Sequence, residues 1–390
     1  MKKLLAILLA GMMLFSLSAC GDSETSEGLT AISKEEIKVG VLHIGDPSDG
    51  SGYSFAHDQG IVEMQEELGL SEDQIVRKNN VSDSDNSAIR EAIEACIAEG
   101  CNIIFGTSYG YMDTMDAMAA EFPNVIFSHG TGYKSNDTNF NNYFGRIYQA
   151  RYLAGIAAGL KTQSDKIGYV SAYGTDLAET CSGINAFALG VQSVNPDAVV
   201  YVKTLNSWFD PANETAYAEA LIALGCDVIA QHCDTENPQI AAENAGVWGC
   251  GYSSDMTEAA PNAHLTAPIW NWGVYYTLAV QAAIDGTFSD LGNYYGGVKE
   301  GMVALSPLTD NCVEGTQEKI DAVTALFNDG SWDVFSGVKL TFDENNQVVM
   351  TDADLLKDDD SVIAAAGSAS IEDGVIQGSM DYFVKGVELK

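Results

Sequence analysis

Positive charge is what this sequence has least of: 19 Lys and Arg stand against 55 Asp and Glu, for a formal net charge of −36. A surface of that sign repels phosphate backbones, so nucleic-acid binding is excluded as a role. The same balance argues against capture of polyanions, although a local basic pocket overrides an average. No run of one sign exceeds Asp358, Asp359 and Asp360, so the acids read as a dispersed, solvated surface. Histidine is scarce too, at five. No H-E-x-x-H, G-x-S-x-G or P-loop pattern occurs, and nothing calls for a metal or cofactor. His232, Cys233 and Asp234 stand together but lack partners at a spacing useful for metal binding or nucleophilic attack. An enzyme is disfavoured. Its remaining form, a glycosidase, needs two carboxylates about 5–9 Å apart, with Asp234 and Asp255 the pair to consider.

Long apolar runs are missing except at the beginning. Lys2 and Lys3 precede an apolar stretch from Leu4 to Leu17. At about 14 residues it is too short to span a bilayer comfortably and reads as a cleaved leader, residues 1–19. Small Ser18 and Ala19 lead into Cys20, whose thiol takes a lipid in a lipoprotein box. Each buried lipid CH₂ contributes about 0.8 kcal/mol, so two or more chains hold a protein at a membrane surface. An extracytoplasmic, lipid-anchored chain is expected, with residues 20–36 as a flexible tether. Seven cysteines remain (96, 101, 181, 226, 233, 250 and 312), an odd number with no C-x-x-C pair. Several lie in strand-like runs, where Cys acts as a small hydrophobe. Their pairing is not readable from spacing.

What the chain does have is a repeated rhythm of apolar strands and amphipathic helices. Strands are predicted at 38–44, 75–81, 102–107 and 124–129, with helices at 54–68, 84–99 and 111–121 between them. The pattern restarts at 166–170 and continues through 198–204, 227–231 and 246–252. A further strand at 264–269, a helix at 273–285 and a late helix at 316–328 follow. Continuous apolar strands alternating with helices imply parallel sheets covered on both faces. The expected fold is α/β, with two doubly wound lobes in the manner of a type I periplasmic-binding fold. The first lobe is assigned residues 37–145 plus about 256–300, and the second 146–255 plus about 301–390.

In doubly wound folds ligands bind outside the carboxyl ends of the strands, which here means between the lobes. The loops at those ends carry Tyr53 and Phe55, Ser108 and Tyr109, Trp208, Asp234, Asp255, Trp270 and Trp272. Three of the five tryptophans fall in these loops. A flat heterocycle suits them, because base–aromatic stacking contributes about 1–3 kcal/mol per base. A pyranose face packs on aromatics as well, and each ring has the alternative of filling a lobe core. Asp234 and Asp255 have the alternative of capping a helix.

These residues carry a family resemblance. The lipoprotein box, Lys38 to Val41, Gly52-Tyr53-Ser54-Phe55-Ala56-His57-Asp58, the small-residue run Tyr152 to Gly159, Trp208 to Pro211 and Tyr252 to Asp255 occur in order over the mature chain. Together they resemble the basic membrane protein family of ABC-transporter substrate-binding lipoproteins, which includes purine nucleoside receptors. A monomeric chain is expected, and the resemblance implies capture without catalysis and a permease partner. It implies that Phe55 is the stacking aromatic, Trp208 its neighbour from the second lobe, and Asp255 the acid that engages a ribose. Two positions depart from the pattern: Ala56 replaces an Asn that reads the base edge, and Trp270 stands where a Lys is expected near the ribose. The first removes an amide from the base edge; loss of the Lys shifts the expectation within the purines from a nucleoside toward a free nucleobase. A sugar-binding protein and a signalling receptor remain the other readings.

Overall fold

The computed structural model describes residues 29–50 and 52–390. The leader, Cys20 and the first part of the tether lie outside the described residues. Residues 29–36, assigned to the tether, are instead docked. Leu29 and Ile32 pack on the first lobe's core, and the Ile32 N–H donates to the Ala283 carbonyl. Two apolar side chains in a polar segment suffice to fasten it.

The first lobe is built on β1 (Val39–Leu42), β2 (Ile75–Lys78), β3 (Ile103–Gly106), β4 (Ile126–Gly130) and β5 (Phe140–Gly145). Between these strands run α1 (Gly52–Leu68), α2 (Asn86–Ala98) and α3 (Met112–Glu121). The chain then crosses into α4 (Ile147–Lys161), β6 (Lys166–Ser171), α5 (Ala178–Val194), β7 (Val199–Thr204) and α6 (Pro211–Ala223). It continues through β8 (Val228–His232), α7 (Asn237–Ala245), β9 (Trp248–Cys250) and β10 (His264–Thr266). From β11 (Pro268–Trp270) it returns to the first lobe through α8 (Trp272–Asp285) and β12 (Tyr294–Gly296), and crosses back at β13 (Val303–Leu305).

Two six-stranded sheets result, ordered β12-β5-β4-β3-β1-β2 and, with the last strand β18, β10-β9-β8-β6-β7-β18. All pairings within them are parallel. The tail supplies α9 (Thr316–Asp329), the hairpin β14 (Val338–Phe342) and β15 (Val348–Asp352), a short pair β16 (Leu355–Leu356) and β17 (Val362–Ala364), α10 (Asp373–Gly378) and β18 (Val387–Leu389). β18 adds an edge strand to the second sheet beside β7.

Local chemistry explains the element ends. Asp85 caps α2 by accepting from the Ser87 and Ala88 N–H groups, and Asp210 caps α6 ahead of Pro211. The run Tyr152 to Gly159 lets two helices touch: a Cβ on Gly159 would lie 2.7 Å from the Val191 carbonyl of α5. β5 escapes sequence pattern because Asn141 and Asn142 interrupt its apolar alternation. They are buried, with the Asn141 amide donating to the Gly292 carbonyl. The predicted strand at 264–269 is split at Ala267. Its first half pairs with β9 of the second sheet and its second half pairs antiparallel with β13. The return to the first lobe therefore falls after β10, not near residue 256. Pairing with a neighbour, invisible in local sequence, decides it.

Candidate functional site

The strand ends of both lobes face one gap. At its first wall, Gly52 opens α1 with φ 81°, and a Cβ there would lie 3.2 Å from the Asp234 carbonyl at the end of β8. Glycine is required by both the backbone angle and this close approach between lobes. One residue on, the Tyr53 hydroxyl donates to the Thr107 carbonyl after β3, and its ring meets His57 edge-on at 4.4 Å. His57 stacks on Trp272 at 4.0 Å, Trp272 on Trp270 at 4.6 Å, and Trp270 leans on Phe144 at 5.0 Å. This column of rings fills the first lobe up to the gap. It touches the second lobe where the Trp270 indole N–H donates to the Tyr252 hydroxyl over 3.2 Å.

The second wall is a chain of edge-on rings: Tyr173 to Trp208 at 5.8 Å, Trp208 to His232 at 5.5 Å, and His232 to Tyr252 at 4.6 Å. The Arg151 guanidinium of α4 lies 4.2 Å over the Tyr252 ring and donates from Nη1 to the Gln231 carbonyl at 2.6 Å. Glu179, in the first turn of α5, puts Oε1 3.7 Å from His232 Nε2. Asp234 is held by its backbone N–H to the Trp208 carbonyl at 2.9 Å. Among the described residues, no side chain or backbone group donates a hydrogen bond to either carboxyl.

Burial sets the charge states. It raises the Glu179 carboxyl to about 7 against the opposing pull of Arg151. Burial, then Glu214 and Glu179, raise Asp234 to about 8. His57 and His232 are pushed well below the usual imidazole range by burial first, then by His43 and Arg151 respectively, so both rings are neutral. Tyr53 is pushed up by burial, with Tyr143 and then Glu179, Tyr252 and Asp234 adding to it. Among the described residues, several buried polar atoms along these two walls have no partner: His57 Nε2, both nitrogens of His232, Arg151 Nε and Nη2, and Trp272 Nε1. Each such atom costs about 1–3 kcal/mol. Those beside the gap are left open to polar recognition.

The expected residues divide. Tyr53, Trp208, Asp234 and Trp270 come together at the gap. Phe55 is half-buried on α1 and joins no ring cluster among the described residues; the α1 ring beside the second lobe's acids is Tyr53. Ser108 is committed to Asp83, donating its hydroxyl over 2.7 Å. Tyr109 stands 55% exposed on the rim. Asp255 is exposed, and its carboxylate accepts from the Thr257 N–H at 2.9 Å and hydroxyl at 2.6 Å while facing His264 at 3.6 Å. It closes a turn, the capping role an aspartate after a strand readily takes.

Sequence reading did not single out Arg151, Glu179, His57 or His232 as site residues. One signal was available for Arg151, a lone charge inside an otherwise apolar helix face. Glu179 gave none, since an acid in a first helical turn is ordinarily a solvated partner of the helix dipole. Among the described residues, no three His, Cys, Asp or Glu gather as metal ligands, and no helix is long and apolar enough to cross a membrane.

Two parallel α/β lobes presenting their strand ends to a shared, ring-lined gap define a fold of the periplasmic-binding type. The solved solute-binding protein of an ABC transporter system from Conexibacter woesei shares this fold, with a TM-score of 0.63 at 19% identity over 76% of this chain and 98% of that one. Within the class, the chain belongs to the Bmp family of PnrA-like ABC transporter substrate-binding proteins, which matches residues 37–329. A purine-binding protein of Brucella abortus is 37% identical over 310 residues, 80% of this chain and 86% of its own. A Haloferax volcanii protein, provisionally named as an ABC transporter glucose-binding protein, is 35% identical over 318 residues, 81% and 78% of the two chains.

Proposed function

We propose that this substrate-binding protein is anchored by a lipid on Cys20 at the outer face of the cell membrane and captures a purine nucleobase or nucleoside for its permease. The observation that carries the ligand reading is the composition of the gap. Rings from both lobes meet there beside two carboxyls that accept no hydrogen bond and buried nitrogens that have no partner among the described residues. A purine supplies what that surface asks for: a flat π-face for the rings, and N–H donors and ring-nitrogen acceptors along its edge. The similarity to the Brucella purine-binding protein supports the same class. The polar groups lie between lobes, so closure around a guest completes the site and opening releases it.

Mass spectrometry of small molecules carried through purification, followed by calorimetric titration with adenine, hypoxanthine, inosine and guanosine, tests the reading. Trp208→Ala weakens the bound purine about tenfold or more, as loss of a stacking partner worth 1–3 kcal/mol requires. A hexose in place of a purine, or Trp208→Ala at wild-type affinity, removes the purine assignment. The Haloferax relative makes a sugar the second reading, since a pyranose also packs on rings and donates to carboxylates. Glucose belongs in the same titration. Labelling the membrane fraction with a radioactive fatty acid, with Cys20→Ser as comparison, tests the anchor.

A further inference from the structure

Away from the ligand gap, charged groups gather where the chain passes between lobes. Arg146 follows β5 directly and precedes α4, so it sits on the first crossing. Its Nη1 donates to the Tyr295 carbonyl at 2.6 Å, its backbone N–H donates to the Gly296 carbonyl at 2.7 Å, and its guanidinium lies 4.8 Å over the Tyr295 ring. Those contacts tie it to β12, the edge strand of the first sheet. On its other side Asp373 engages it with both oxygens, Nη2 to Oδ2 at 2.6 Å and Nε to Oδ1 at 3.2 Å, while Glu300 stands 3.9 Å from Nη1.

Asp373 moves with the second lobe. It opens α10, whose Ile376 is buried in that lobe's core together with Met380. Asn185 of α5 grips the same segment, donating to the Tyr382 carbonyl at 2.8 Å and accepting from the Val384 N–H at 2.9 Å. A second acid of the tail, Asp333, accepts from the Tyr148 hydroxyl at 2.9 Å and the Gln149 amide at 3.2 Å. Gln149 in turn accepts from the Val298 N–H at 2.9 Å on the third crossing. Both acids lie beyond residues 37–329, the stretch matched to the family.

We infer that Asp373 is a positioning residue for lobe closure: acting through Arg146, it clasps the tail of the second lobe to β12 of the first and holds the closed arrangement. The inference rests on the gap being the ligand site. A two-pronged arginine–carboxylate pair fixes direction as well as distance, which a single point contact does not. At a pivot, a pair with that geometry tolerates little rotation, so opening must loosen it. The two side chains are 25% and 39% exposed, so water screens them and the clasp is modest in strength. A group that favours the closed state adds its preference to the apparent affinity of any ligand bound there.

The test compares the mature chain with Asp373→Asn, Asp373→Glu and Asp358→Asn, the last an exposed acid of the same tail. Small-angle scattering without ligand and stopped-flow tryptophan fluorescence with adenine are the two readouts. Asp373→Asn is expected to release adenine about 3- to 10-fold faster with association almost unchanged. It is also expected to increase the radius of gyration of the ligand-free chain. Asp373→Glu recovers most of both, and Asp358→Asn matches wild type. Wild-type release and scattering in Asp373→Asn overturn the clasp, as does a loss confined to thermal stability. Should none of adenine, hypoxanthine, inosine and guanosine bind the wild-type chain, the purine reading falls while the scattering comparison still decides the clasp.

Discussion

Asp234 and Glu179 put two carboxyls that hold their protons near neutrality against the rings of the gap. A purine N–H donating to either favours the ionised form and lowers its pKa in the complex. Binding between pH 6 and 8 therefore releases protons, and affinity rises with pH across that window before levelling above it. Calorimetry in buffers of different ionisation enthalpy reads the released proton directly. Asp234→Asn keeps an acceptor oxygen of the same shape but cannot ionise. Its affinity at pH 6 stays within about threefold of wild type, while the upper part of the pH slope, toward pH 8, disappears. A slope of the opposite sign shows that these carboxyls donate to the ligand instead of accepting from it.

The α4–α5 contact is the clearest case of an element whose sequence is dictated by a neighbour. Gly155 and Gly159 on one helix and Gly190 on the other leave no room for side chains; a Cβ on Gly190 would run into the Tyr152 carbonyl. Gly190→Ala gains about 1 kcal/mol of helix propensity. It then forces two backbones apart, and overpacking of that kind costs 1–3 kcal/mol or more. The expected net effect is a lower thermal midpoint. Gly374→Ala on α10, where nothing lies within 4 Å, is the control and raises the midpoint slightly. The small residues matter beyond stability. Arg151 rides on α4 and Glu179 on α5, so the spacing of the two helices sets where both groups stand in the gap.

Across the whole molecule two terms act in the same direction as pH rises. The carboxyls of Asp234 and Glu179 have pKa values raised on folding, so their contribution is complete below about 4, the unfolded value, and is lost as pH climbs through about 7 to 8. Self-repulsion of a chain carrying −36 builds up as the ordinary carboxylates ionise around pH 4 and stands almost complete above about pH 6, where it lowers stability throughout. The ligand-free chain is expected to show a thermal midpoint that falls from pH 5 to pH 8.5. Added salt should raise the upper end by screening the surface term, and Asp234→Asn should lessen the fall. Differential scanning calorimetry over pH and salt separates the two, because screening acts weakly on buried groups. A midpoint independent of pH overturns the carboxyl term, and one independent of salt overturns the surface term.

The α/β class and the two-lobed plan were legible in the sequence because apolar strand runs and helical periodicity are local patterns. So was the placement of Tyr53, Trp208, Asp234 and Trp270 at the ends of strands, which is where the fold sets them. Strand β5 was not, because its buried asparagines are satisfied by partners far away in sequence. Nor was the division at Ala267, where hydrogen-bond pairing and not composition decides which sheet a strand joins. Glu179 and the neutral state of His57 and His232 came from tertiary structure alone, and Arg151 had only the signal of a lone charge in an apolar helix. A pKa near 7 for a glutamate is a property of the low-dielectric surroundings that folding assembles, and no residue carries it in its identity. Sequence determined which kinds of side chain reach the gap; the packing of the two lobes decided which of them face it and with what charge.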